Sequence, residues 1–146
     1  MVMMQCGIDL RDGPNCCNLN LYEGGCSSVG PHADNEQLFS KTGKHRDLRI
    51  ISLSIGATRD FVLKFTSDAA RRNDLPWFSR DLPYEDGAKI ELRSGDICTM
   101  EGLAQKHYVH SLPVSDRSGT RVNITWRWIT KHMPYCCAGK SHVGKR

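Results

Sequence analysis

The stretch SVGPHADNEQLF, residues 28–39, places a histidine and two acids at every second position: His32, Asp34 and Glu36. Side chains two apart on a strand share a face, so His32 and Asp34 are expected to project together, close enough to ligate one ion. An imidazole with a carboxylate suits Fe(II) or a similar divalent metal. A second histidine would complete a facial set of two His and one carboxylate, leaving the opposite face of the ion open to reactants. His45, His107 and His110 are the candidates for that third position.

A second polar constellation lies in RVNITWR, residues 121–127. On a strand, Arg121, Asn123, Thr125 and Arg127 share one face. Val122, Ile124, Trp126 and Trp128 share the other, where they are expected to make a core layer. Two inward-facing guanidinium groups need anionic partners, because an unpaired buried charge is costly. Arg121 and Arg127 are about 20 Å apart along an extended strand, and leaning toward each other they could grip the two ends of a short dicarboxylate. Arginine forks bind carboxylates in bidentate fashion.

The elements that must position these groups read as strands. NLNLY (18–22) alternates polar and apolar residues. RIISLSIG (49–56) and TRDFVLKF (58–65) are β-rich, with Gly56 between them as a hairpin breaker. AKIEL (88–92) and DICTM (96–100) flank the turn signal RSG, HYVHSL (107–112) stops at Pro113, and 120–130 is the longest strand candidate. Helix signals are confined to one or two turns over 67–73, capped by Ser67. Many short strands with almost no helix predict an all-β fold with α+β character only at its edges, a barrel or jelly roll with a pocket at its mouth.

Length and composition agree with one soluble domain: 146 residues, 39% hydrophobic, 25% charged and a net charge of +4. From Gly119 onward there is no acid but several Lys and Arg, a basic end suited to a polyanion. No apolar run approaches the roughly 20 residues of a bilayer span, so no membrane partner is expected. The N-terminus lacks the basic start of a secretory signal. Seven cysteines without a CxxC pair read as reduced thiols of an intracellular protein, nuclear or cytoplasmic. His132, Cys136, Cys137 and His142 could hold zinc, but their spacing matches no common zinc knuckle.

Taken together, NLY, SVGPHADNE, SLSIGATRDFVLKF, SGDICTMEG, HSLP and RVNITWR resemble the AlkB-like 2-oxoglutarate/Fe(II)-dependent dioxygenases, nearest their DNA and RNA alkylation-repair members, in order over residues 18–129. The resemblance implies a double-stranded β-helix core over 18–130, between an N-terminal remnant (1–17) and a basic tail (131–146). It implies Fe(II) ligation by His32, Asp34 and His110, with His107 a surface or packing residue. Asn20 and Tyr22 match residues that contact 2-oxoglutarate. Arg121 matches the arginine that pairs with its distal carboxylate, with Asn123 beside it. Arg127 matches the arginine near the metal-chelating carboxylate. Glu36 matches an acid that contacts the damaged base. Trp126 stands where the family usually has Phe, and it is expected to point away from the site.

The implied activity is oxidative demethylation of N-alkylated bases in DNA or RNA, consuming O2 and 2-oxoglutarate and releasing formaldehyde, succinate and carbon dioxide. The expected partner is nucleic acid with an alkylated base, single-stranded, bound by a monomer. Only 19 residues precede Asn20, and they show none of the hairpins of the family's nucleotide-recognition lid. The excursion 67–88 interleaves Arg71, Arg72 and Arg80 with Trp77, Phe78 and Tyr84, a composition suited to single strands. Two other readings share the same residues: an oxygenase acting on protein or a small molecule, and a non-catalytic binding module.

Overall fold

The computed structural model describes residues 1–34, 39, 48–66 and 88–129. Glu36, His45, the helix expected over 67–73, the rest of the excursion through 87, the His132–His142 cluster and the basic end beyond Ile129 lie outside the described residues.

Eight strands carry the fold: β1 (Cys16–Tyr22), β2 (Val29–His32), β3 (Ile50–Gly56), β4 (Arg59–Phe65), β5 (Ala88–Leu92), β6 (Ile97–Met100), β7 (Tyr108–Leu112) and β8 (Arg121–Arg127). They form two antiparallel four-stranded sheets, a major sheet in the order β1-β8-β3-β6 and a minor sheet in the order β2-β7-β4-β5. Every connection except β4 to β5 passes from one sheet to the other. The result is a jelly-roll core, as the strand pattern and the resemblance both lead one to expect.

That topology corrects the hairpin expected at Gly56. β3 and β4 do not pair with each other; they belong to opposite sheets. Gly56 instead turns the corner between the sheets with φ 95°, and a Cβ there would collide with the carbonyl oxygen of Thr120. The RSG turn after β5 likewise leads from the minor to the major sheet.

The faces of the major sheet are also the reverse of an ordinary sandwich. Residues opposite one another in register share a face, which puts Asn20, Asn123 and Ser54 in one row and Leu19, Ile124 and Leu53 in the next. The polar rows line the interior; Ser54 is 1% and Arg121 2% exposed. The apolar rows face outward, with Leu19 at 65% and Leu21 at 60% exposure. Val122, Ile124 and Trp126 therefore form a half-buried outer layer, not the core layer expected of them. The interior of this sheet is reserved for a polar site. The apolar core is correspondingly compact, built around Leu48, Ile50, Ile51, Leu92 and Leu112.

The N-terminal segment is tied to the end of β8. It holds a short helix α1 (Val2–Gln5) and a 3-10 turn at Leu10–Asp12, where the Asp9 side chain caps the turn by accepting from the backbone N–H of Arg11. The Asn15 side chain exchanges two hydrogen bonds with the backbone of Ile129, and Trp128 Nε1 donates to the carbonyl of Asp12 at 2.8 Å. A second short helix, α2 (Ala104–His107), leads directly into β7.

Candidate active site

β2 and β7 bring His32 and His110 opposite one another in register. β2 ends at His32, so Asp34 lies two residues past the end of the strand and not on it as the spacing suggested. The register of β2 against β7 shifts between Val29 and His32, and such an irregularity re-aims side chains. The convergence survives although Asp34 is off the strand. Asp34 Oδ1 lies 3.8 Å from His32 Nε2, Asp34 Oδ2 lies 3.9 Å from His110 Nε2, and one donor atom from each residue falls within 4.8 Å of the others. Among the described residues this is the single cluster of three metal-competent side chains.

Each donor is oriented by a further contact. His32 Nδ1 lies 2.9 Å from the carbonyl of Gly30. A proton on Nδ1 satisfies that bond and leaves Nε2 free to ligate. The ring of His110 stacks on Phe61 with centroids 5.5 Å apart. Burial, followed by the nearby His32, pushes the His110 pKa down to about 4 despite the opposing pull of Asp34, so its lone pair is available at neutral pH. Asp34 is 8% exposed. Its backbone N–H donates to Gln105 Oε1 at 2.8 Å, and its Oδ2 accepts from Arg127 Nη2 at 2.7 Å.

Two expectations change here. Arg127 was expected to take its anion from one end of a short dicarboxylate; Asp34 supplies one within the chain. His107 lies at the end of α2, not on a strand, and at 4% exposure it is a packing residue and not a surface one.

A cavity of about 590 Å³ opens beside the triad, with Asn20, Tyr22, Arg121, Asn123 and Arg127 in its walls. β1 and β8 pair residue for residue, which sets Asn20 against Asn123 and Tyr22 against Arg121. Arg121 Nη2 donates to Ser54 Oγ and to Asn123 Oδ1. Ser52 Oγ also donates to Asn123 Oδ1, and Asn123 Nδ2 donates to Thr125 Oγ1. Arg121 Nε is buried with no partner. Burial, and then the neighbouring Arg59, pull the Arg121 pKa below its usual value. Burial raises that of Tyr22. A cation this deep, with one donor unused and no acid paired to it among the described residues, fits a carboxylate-bearing ligand. The triad's imidazole and carboxylate donors fit a divalent first-row metal.

Ser52, Ser54, Gln105 and Arg59 were missed in the sequence. The two serines had a signal: in IISLSIG a small hydroxyl recurs at every second residue of an otherwise apolar strand, marking a polar interior face. Gln105 had none, since one glutamine in a turn is unremarkable until its fold neighbours are known. At 2% exposure it holds Asp34 in place and donates to Met100 Sδ. Gln105→Leu removes the acceptor for the Asp34 N–H and is expected to weaken metal binding by about 10–100-fold, as loss of a supporting contact to a ligand does. Titration of Mn(II) into the metal-free protein checks this; unchanged affinity would assign Gln105 to packing alone.

The chain matches the 2OG-Fe(II) oxygenase superfamily over residues 6–127. It is 32% identical over 123 residues to the DNA oxidative demethylase ALKBH2 of Arabidopsis thaliana, covering 79% of this chain and 38% of that protein. It is 33% identical over 111 residues to the human alpha-ketoglutarate-dependent dioxygenase alkB homolog 3, covering 75% and 35%. The chain thus spans less than half the length of these relatives. The solved structure of OsALKBH1 superposes with a TM-score of 0.52 at 20% identity, over 78% of this chain and 49% of that one, a likeness of fold. With the family match covering most of the chain and both sheets in place, the chain belongs to the 2OG-Fe(II) oxygenase superfamily and is AlkB-like within it.

Proposed function

We propose that the chain is a 2-oxoglutarate-dependent dioxygenase that oxidatively demethylates N-alkylated bases in DNA or RNA. The observation that carries this is the placing of one buried, unsatisfied arginine, Arg121, in the same cavity wall as a His-Asp-His cluster. In this reading His32, Asp34 and His110 hold Fe(II), Arg121 grips the distal carboxylate of 2-oxoglutarate, and Asn20 and Tyr22 contact the co-substrate, with Asn123 fixing the Arg121 fork. Arg127 holds Asp34 and faces the metal-chelating end of the co-substrate. When bound, iron with O2 and 2-oxoglutarate supplies oxidative decarboxylation to succinate and carbon dioxide, coupled to hydroxylation of an N-methyl group that leaves as formaldehyde. The protein's own part is orientation and exclusion of water. The Gly30 contact fixes the His32 tautomer, Gln105 and Arg127 fix the Asp34 carboxylate, and Phe61, Met100 and Leu112 give the cavity an apolar side.

The choice of substrate rests on the relatives, two of which are named for DNA demethylation and 2-oxoglutarate-dependent oxygenation. A second cavity of about 280 Å³ adjoins Asp34 and Arg127 and is walled partly by Phe39 and Trp128, room for a planar base beside the metal. Glu36 is assigned to that base by resemblance. No helix among the described residues is long and apolar enough to cross a membrane. The five described cysteines are free thiols, in keeping with the intracellular site, nuclear or cytoplasmic, that we propose.

The test uses single-stranded oligonucleotides carrying N-methylated bases, with formaldehyde and succinate measured together. Formaldehyde release is expected to require Fe(II) and 2-oxoglutarate and to fall steeply with salt, as phosphate-driven binding does. Succinate formed with no methyl loss from any oligonucleotide, alongside coupled turnover of a peptide or small molecule, would transfer the activity to another substrate class.

A further inference from the structure

Arg59 opens β4 in the minor sheet, yet its side chain reaches the end of β1 in the major sheet. It is among the most deeply buried side chains of the described residues, at 1% exposure, and it pairs with no carboxylate among them. Its guanidinium is held by backbone carbonyls alone. Nη1 donates to Gly24, and Nη2 donates to Ser27 at 2.8 Å and Pro113 at 2.6 Å, with Gly25 at 3.3 Å. Nε is buried without a partner.

Those carbonyls come from two loops. Residues 23–28 follow Tyr22, the last residue of β1, and residues 113–120 lead into Arg121, the first residue of β8. The loops are packed against each other closely enough that a Cβ on Gly25 would collide with the carbonyl oxygen of Ser115, whose N–H donates back to Gly25. Tyr22 and Arg121 are themselves register partners. The carbons at the centres of the Arg59 and Arg121 guanidinium groups lie 5.9 Å and 5.5 Å from the centroid of the Tyr22 ring. One buried arginine therefore braces both chain segments that deliver the proposed carboxylate clamp, and stacks its own charge behind it.

We infer that Arg59 is a positioning residue for the distal carboxylate of the co-substrate, setting Tyr22 and the approach to Arg121 by bracing the two loops and adding a second positive charge behind the clamp. This role rests on the co-substrate clamp proposed above. It accounts for an otherwise costly arrangement, two buried cations near one tyrosine ring with no acid paired to either among the described residues. The carbonyl cage makes the charge tolerable, and a bound dicarboxylate offsets the repulsion.

The experiment compares two keto acids on protein loaded with Mn(II), without oxidative turnover: 2-oxoglutarate, and 2-oxopentanoate, which has a methyl group in place of the distal carboxylate. The parent is expected to bind 2-oxoglutarate much more tightly. Arg59→Lys keeps the charge but cannot span carbonyls from both loops. It is expected to lower 2-oxoglutarate affinity about tenfold while leaving 2-oxopentanoate within about twofold. Arg59→Met is expected to lose at least as much discrimination; if it does not fold, the Lys variant decides alone. Equal loss for both keto acids, or unchanged discrimination, would reduce Arg59 to a structural brace and overturn the inference. A parent that fails to discriminate overturns the clamp itself, which is a separate result from a parent that discriminates with Arg59 irrelevant.

Discussion

Asp34→Ala is expected to abolish stoichiometric Fe(II) binding and 2-oxoglutarate decarboxylation, and also to destabilise the metal-free protein. The first effect follows from the loss of the one carboxylate among three converging donors. The second comes from Arg127, whose side chain is 13% exposed and whose Nη2 sits 2.7 Å from Asp34 Oδ2. With the carboxylate gone, a largely buried guanidinium is left without an anion, and its Nε already has no partner. Breaking a buried pair in this way costs about 3–5 kcal/mol, a large share of a typical domain stability of roughly 5–15 kcal/mol. Adding Arg127→Met to Asp34→Ala should recover part of that loss, because neither charge is then stranded. His110→Ala should remove the metal without this extra penalty, and His107→Ala should spare the metal while costing packing at a 4% exposed position. Metal titration and denaturant unfolding in chelator read the two effects separately. Full metal stoichiometry in Asp34→Ala, or its loss in His107→Ala with His110→Ala silent, would overturn the ligand assignment.

The strands were legible because their signals are local. β-branched runs, breaking glycines and Pro113 mark where extended chain begins and ends, and the observed bounds of the strands read from the sequence differ from the expected ones by at most three residues. Which strands pair was not legible from those signals. Gly56 reads as a hairpin in the sequence, yet it turns a corner between sheets, and only the register of β3 with β8 and β6 reveals it. The inward face of β8 was legible from its alternation, since two arginines and an asparagine in one row demand polar company. The partner of Arg127 was not: Asp34 is 93 residues away in sequence. Gln105 and Arg59 escaped for the same reason. Their roles consist of contacts to backbone groups of distant segments, and no residue type announces such a contact in advance.

Arg121→Met should leave the ligand-free protein as stable as the parent, or more so, and yet remove co-substrate binding. Arg121 is 2% exposed, and its hydrogen-bonding neighbours are neutral, Ser54 and Asn123. Burial and the like charge of Arg59 both work against its charged form. A buried cation so placed opposes folding until an anion arrives, and replacing it with an apolar side chain of similar length removes that cost. Ser54 and Asn123 lose an Arg donor, but Asn123 Oδ1 keeps its bond from Ser52, so the network does not strand an acceptor there. In the parent, a dicarboxylate that binds only the folded state should stabilise it by about 2.7 kcal/mol at a hundredfold excess over its dissociation constant. Arg121→Met should lose affinity on the order of 100-fold, the scale of a charged, forked hydrogen-bonded contact, and with it nearly all of that stabilisation. Arg121→Lys retains the charge and loses the fork, so it should fall in between for binding without gaining stability. Thermal unfolding with an inert divalent metal, with and without 2-oxoglutarate, reads both quantities from one set of samples. A parent midpoint that ignores 2-oxoglutarate would remove the clamp, and an Arg121→Met protein that is much less stable yet still shifts with 2-oxoglutarate would make Arg121 a structural residue with the carboxylate held elsewhere.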